Sequence, residues 1–195
     1  DTIRAAIAAG ITVCGENRVQ ELTAHLAADA YRGAQVHFIG HLQTNKVRQI
    51  ADKVTMIQSL DSLPLAREIE KQCAKLGKKM DCLVEVNIGS ELTKSGVSPE
   101  ALPEFLEEVS SVGGICVRGL MSIPPVCEND LERERYFSSL YKLFVDIGQK
   151  KIDNISMDFL SMGMSDDYLL AIKHGSSLVR IGTALFGRRA YAGHQ

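Results

Sequence analysis

Short apolar runs alternating with helical stripes constrain this chain more than any other feature, because that grammar builds parallel βαβ units and little else. Runs of strand length lie at 11–14, 36–40, 54–60, 82–88, 115–123, 157–163 and 178–182. Helical spacing fills the intervals. Leu65, Ile69 and Cys73 share a stripe that Gly77 closes, and Ser98-Pro99 opens a stripe of Leu102, Phe105, Leu106 and Val109. Asn129 and Glu132 have capping-box spacing ahead of the longest stripe: Phe137, Leu140, Tyr141, Phe144 and Ile147. The opening residues read as a helix through Ile3, Ile7 and Ala8 with Gly10 as its stop.

Such alternation permits an open doubly wound sheet or a closed barrel. A unit length of about 25 to 30 residues, with no Gly-x-Gly-x-x-Gly turn after the first strand, favours the barrel. The expected fold class is therefore α/β, a TIM-type (β/α)8 barrel in one domain spanning 1–195. The seven runs leave an eight-unit barrel one strand short. Because the chain begins in a helix, that first strand is expected before Asp1, which makes this an N-terminally shortened barrel.

Composition narrows the function. In a chain of 195 residues, 45% hydrophobic and 24% charged content supplies a real core and argues against disorder. A net charge of -2 offers no basic surplus for a nucleic-acid partner. No apolar run approaches a membrane span, and the start lacks the regions of a signal peptide, so no membrane role is expected. The five cysteines, Cys14, Cys73, Cys82, Cys116 and Cys127, lack the close pairing of a zinc or redox site. They read as thiols in a reducing cytoplasm, and no metal site is expected.

In a barrel, ligands sit at the carboxyl ends of the strands. The residues there are Glu16-Asn17-Arg18, His41-Leu42-Gln43, Asn87 with Lys94-Ser95-Gly96, Met121-Ser122, Ser161 to Ser165 and Arg180 to Thr183. The set is polar but poor in acid and base pairs, which suits holding an anion better than cutting a bond. Small residues at 161–165 and at Gly182-Thr183 suit phosphate, which barrels hold on backbone N–H groups after their last two strands. Ser165, with Asp166 and Asp167 behind it, equally fits a plain helix N-cap. Arg180 faces either a structural ion-pair partner, Glu85 or Asp158, or a ligand's ring nitrogen.

Five stretches carry a family resemblance: GENRVQEL at 15–22, HFIGHLQTNK at 37–46, VEVNIGSELTKSG at 84–96, RGLMSIP at 118–124 and LSMGMSDDYLLAIKHGSSLVRIGTALFG at 160–187. In order and across nearly the whole chain, they resemble the pyridoxal phosphate homeostasis protein family, the YggS/PROSC group. The resemblance implies the alanine-racemase-like barrel, pyridoxal 5'-phosphate as ligand, and a carrier or regulator role in vitamin B6 balance without established catalysis. It implies Ser161, Ser165, Gly182 and Thr183 at the phosphate, Arg180 at the pyridine nitrogen, and Asn17, His41 and Asn87 along the ring side. Apo-enzymes that use pyridoxal phosphate are the implied partners. The family's Schiff-base lysine ends the first strand, and no residue of this chain aligns with it, so the ligand is expected to be held non-covalently. Lys46 and Lys94 lie near strand ends in polar loops and do not replace it. A racemase-like or phosphate-ligand barrel enzyme is the second reading, and a degenerate barrel with a structural role the third.

Overall fold

The computed structural model describes residues 1–91 and 93–187. Leu92 of the VEVNIGSELTKSG stretch and residues 188–195 lie outside them. The strands are β1 (Val13–Glu16), β2 (Gln35–Phe38), β3 (Met56–Leu60), β4 (Met80–Glu85), β5 (Ile115–Met121), β6 (Ile155–Met164) and β7 (Leu178–Arg180). The helices are α1 (Thr2–Ala8), α2 (Val19–Ala27), α3 (Val47–Ile50), α4 (Leu63–Lys75), α5 (Leu102–Ser110), α6 (Asp130–Gly148), α7 (Tyr168–Lys173) and α8 (Thr183–Phe186). Every strand pairs in parallel with the next, in the sheet order β1-β2-β3-β4-β5-β6-β7.

That sheet is curled, and one hydrogen bond demonstrates it. The Ser161 hydroxyl on β6 donates to Gln58 Oε1 on β3 at 2.7 Å. Three strand spacings on a flat sheet would separate those positions by roughly 14 Å. Only a barrel wall brings them together across its interior.

Alternation along the strands sorts side chains into two layers. Met80, Cys82 and Val84 of β4, with Ile115 and Val117 of β5 and Leu160 and Met162 of β6, face the helices. There they meet Leu65, Ile69 and Cys73 of α4, Leu102 and Leu106 of α5, and Phe137 and Leu140 of α6. Each fully buried Leu, Ile or Phe contributes roughly 1.5–3 kcal/mol relative to exposure. Met56, Leu83 and Met121 form a separate interior cluster, joined by Phe159 and Leu178. Register shifts interrupt β3 between Ile57 and Leu60 and β6 between Ser161 and Met164, so strict alternation fails there.

The expected strands and stripes are present, with corrections at their ends. Glu132 N–H donates to Asn129 Oδ1 at 3.0 Å, and Glu132 Oε2 accepts from Glu128 N–H at 3.0 Å, so α6 starts where the spacing predicts. Ser98 does not cap α5 directly. Its hydroxyl accepts from Ala101 N–H at 3.2 Å, closing a turn that precedes the helix by one step. β7 stops at Arg180, two residues short of the expected end, because Gly182 is already the N-cap of α8.

At the barrel floor Arg118 of β5 joins Asp158 Oδ2 at 2.6 Å and Asp81 Oδ2 at 3.2 Å. Ser156 also donates to Asp158 at 2.6 Å. Asp158 is thereby committed to Arg118 and is not the partner of Arg180 that the sequence offered. The cysteines are all free, as expected. Among the described residues, no helix is long and apolar enough to cross a membrane. Nor is any group of three or more His, Cys, Asp or Glu placed to hold a metal ion.

Candidate functional site

The loops after β6 and β7 meet at one point. Ser165, just past β6, accepts the backbone N–H of Gly182 at 3.1 Å and of Ala184 at 3.2 Å. It therefore caps the start of α8, and the expectation that it caps the helix following it is corrected. Asp167 holds the N-cap position of α7 without a side-chain hydrogen bond into that helix; its Oδ1 accepts from Met164 N–H at 2.7 Å, at the end of β6, while Oδ2 lies 3.5 Å from Arg133 Nε. The commitment of Asp167 to Arg133 removes part of the repulsion that two acids would exert on an anion here. Thr183 opens α8 beside Gly182, both are exposed, and no atom lies within 4 Å of a Cβ added at Gly182.

Arg180 stands below this point, half-buried. Its Nη1 donates to Ser161 Oγ at 2.7 Å and its Nη2 to the Ser122 carbonyl at 2.8 Å. Burial pushes its pKa down to about 10, against the pull of Glu85 and Asp167. It remains charged at neutral pH. Its hydrogen bonds go to neutral oxygens, while Glu85 acts on it through space. Glu85 itself is held above the ordinary carboxylate range by burial and by Asp61, with His41 and Arg180 opposing.

Ser161 is fully buried. Its hydroxyl proton goes to Gln58 Oε1 and its lone pair receives Arg180, so it sits in the interior polar layer beside the residues at the mouth. Gln58 Nε2 in turn lies 3.0 Å from His37 Nδ1 on β2. Burial lowers the His37 pKa, with Asp81 opposing. Sequence reasoning missed Gln58 and His37. The available signal was a polar side chain inside an apolar strand, as in MIQSL and VHFIG, since a buried polar group must find a partner.

The remaining expected residues lie across the mouth. His41 is exposed, with Nδ1 3.1 Å from Ser95 Oγ and 3.4 Å from Asp61 Oδ2. It borders a groove of about 650 Å³ lined also by Gln43, Asp61, Ser62, Lys94 and Ser95. The Asn17 backbone packs against Gly40, where an added Cβ would lie 2.2 Å from the Asn17 carbonyl oxygen. That close approach sets Asn17 beside His41 and makes glycine necessary. Asn87 ties its own loop, donating to the Glu91 carbonyl at 2.8 Å and accepting from Glu91 N–H at 3.2 Å. Lys94 is paired with Glu91 and reaches the Pro124 carbonyl at 3.4 Å. The structure thus brings Ser165, Gly182 and Thr183 together, joins Ser161 to Arg180, and places His41, Asn17 and Asn87 in loops on the other side.

At one end of this mouth the Ser165 oxygen already holds the Gly182 and Ala184 N–H groups, which leaves its hydroxyl proton to donate to an anion. Below it lies a fixed cation that suits an acceptor atom on the same ligand.

Comparison with known proteins agrees. The alanine racemase N-terminal domain family matches residues 1–190. The chain is 44% identical over 191 residues to the pyridoxal phosphate homeostasis protein of Aquifex aeolicus, covering 98% of this chain and 83% of that one. With the protein of the same name from Haemophilus influenzae, identity is 38% over 195 residues, covering 99% and 82%. Among solved structures, PipY of Synechococcus elongatus with pyridoxal phosphate bound superposes with a TM-score of 0.85 at 32% identity, covering 95% of this chain and 86% of that one. The chain belongs to the pyridoxal phosphate homeostasis protein family and carries its barrel, that of the alanine racemase N-terminal domain.

Proposed function

We propose that this chain binds pyridoxal 5'-phosphate at the mouth of the barrel and serves vitamin B6 homeostasis in the cytoplasm as a carrier or regulator, without catalysis of its own. The Ser165 hydroxyl, which gathers the N–H groups of Gly182 and Ala184 just after the strand that carries Arg180, carries the reading. The residues fit the group: open space beyond Gly182 admits a phosphate, and the N–H groups there are held by a single hydroxyl. Ser165, Gly182 and Thr183 would take the phosphate, and Arg180 the pyridine nitrogen.

When bound, pyridoxal phosphate supplies an electrophilic aldehyde on an electron-withdrawing ring. A guanidinium facing the ring nitrogen keeps a proton off it and blunts that withdrawal, which suits storage and handover better than carbanion chemistry. Within residues 1–195 the hold is non-covalent, and the recipients are apo-enzymes that use the same cofactor. Lys94, near a strand end, is paired with Glu91 and is not assigned as an anchor.

Titration of the protein with pyridoxal phosphate, followed by absorbance, tests this. Saturable binding is expected, weakened about tenfold by Ser165→Ala and by at least as much by Arg180→Ala. Absence of any binding by the unmodified protein overturns the reading, and racemisation of alanine by the loaded protein overturns its non-catalytic half.

A further inference from the structure

Hydrogen-bond bookkeeping fixes a direction along the interior polar layer. The Ser161 hydroxyl has one proton, and the 2.7 Å contact with Gln58 Oε1 uses it, because a carboxamide oxygen only accepts. Arg180 Nη1, which only donates, must therefore meet a Ser161 lone pair. With its oxygen turned to Ser161, Gln58 presents its NH2 to His37 Nδ1, which accepts and so carries no proton there. Donors thus run from Arg180 through Ser161 and Gln58 to His37, crossing from β7 to β6, β3 and β2. Ser161, Gln58 and His37 are all buried, so reversing any one link leaves two donors or two acceptors face to face without water.

The Ser122 carbonyl takes the other terminal nitrogen of Arg180. Ser122 is itself fully buried, its hydroxyl donating to the Val86 carbonyl at 2.7 Å. One acceptor on β6 and one just past the end of β5 therefore hold one planar guanidinium, leaving its other N–H groups for a ligand.

We infer that Gln58 and Ser161 are positioning residues, which act through this directed chain to hold the Arg180 guanidinium in the plane it needs to meet the ligand's ring nitrogen. The inference rests on the reading of Arg180 given above. Gln58 does not touch the ligand. Its carbonyl fixes the Ser161 proton, and the fixed lone pair fixes Arg180.

Two measurements separate this from the binding proposal. The first needs no ligand: nitrogen-15 NMR of the Arg180 side chain in the folded protein. A guanidinium clamped at two nitrogens rotates slowly and gives distinct Nη signals, and Gln58→Leu or Ser161→Ala should merge them. The second is the pyridoxal phosphate titration. Gln58→Leu should weaken binding about tenfold, and the bound ligand's absorbance band should begin to titrate with pH as the ring nitrogen regains access to a proton. Unmerged Nη signals in both Gln58→Leu and Ser161→Ala overturn the inference whether or not ligand binds. Failure of the unmodified protein to bind, with the NMR signatures as expected, overturns only the binding proposal. Should Gln58→Leu not fold, Ser161→Ala, the smaller change, decides both readouts.

Discussion

At Gly119 the chain runs at φ +150°, and an added Cβ would lie 1.8 Å from the Phe159 carbonyl oxygen on β6. That oxygen belongs to the backbone and cannot swing aside, so Gly119→Ala must part β5 from β6 at a point where their register already shifts. A loss of about 3 kcal/mol or more is expected, read as a lower urea midpoint at unchanged slope. A midpoint equal to that of the parent would mean the strands part freely. The same scale separates what was legible at the site from what was not. Arg180 stood out because a charge inside VRIG demands a partner. Ser165, Gly182 and Thr183 stood out because small residues at strand ends are where a barrel exposes backbone N–H. Gln58 was hidden because its partners are distant in sequence: Ser161 is 103 positions away and His37 is 21. The break in alternation after Ile57 also obscures which residues of MIQSL face inward.

Elements were legible where a local rule closes on itself. The α6 start is one case, since Asn129 and Glu132 satisfy neighbouring backbone donors within a few residues. Removing the side-chain acceptor by Asn129→Ala should cost about 1 kcal/mol, visible in urea unfolding. Asn129→Ser should recover most of it. A loss no larger than that of a random exposed alanine substitution would show that the cap contributes nothing. Where a long-range contact sets the boundary, the sequence pattern overran it. β7 reads as continuing to Gly182, but Ser165 of the preceding loop captures the Gly182 and Ala184 N–H groups and turns the chain into α8. Ser98-Pro99 has the composition of a helix start, yet the Ser98 hydroxyl stops at Ala101 and closes a separate turn. Both differences arise because a hydrogen-bond acceptor, rather than propensity, decides where the next element begins.

For the molecule as a whole, the polar layer inside the barrel makes stability depend on pH through two groups of opposite sign. Burial lowers the His37 pKa below its ordinary 6.5. Above that value neither the folded nor the unfolded form carries the proton. As the pH falls through it, the unfolded form gains the proton first and stability is lost. Glu85 does the opposite, because burial and Asp61 raise it above its ordinary 4.5. The folded form then holds a proton that the unfolded form has already released, a benefit complete below 4.5 and lost as the pH rises through the folded value. The two groups therefore act with opposite sign on the acid side of neutrality: a rising pH restores what His37 lost and removes what Glu85 gained. Glu85→Gln removes that group's titration while keeping its shape. Relative to the parent, the variant should gain stability as the pH rises above about 4.5, until folded Glu85 has released its proton as well. Urea midpoints measured at intervals across that range give the difference directly. Two curves that stay parallel would show that Glu85 carries the same proton folded and unfolded. In that case the field of Arg180 and His41 cancels its burial. A widening gap would place the extra proton of the folded barrel on the residue that lies between the Arg180 side of the mouth and the groove beside His41.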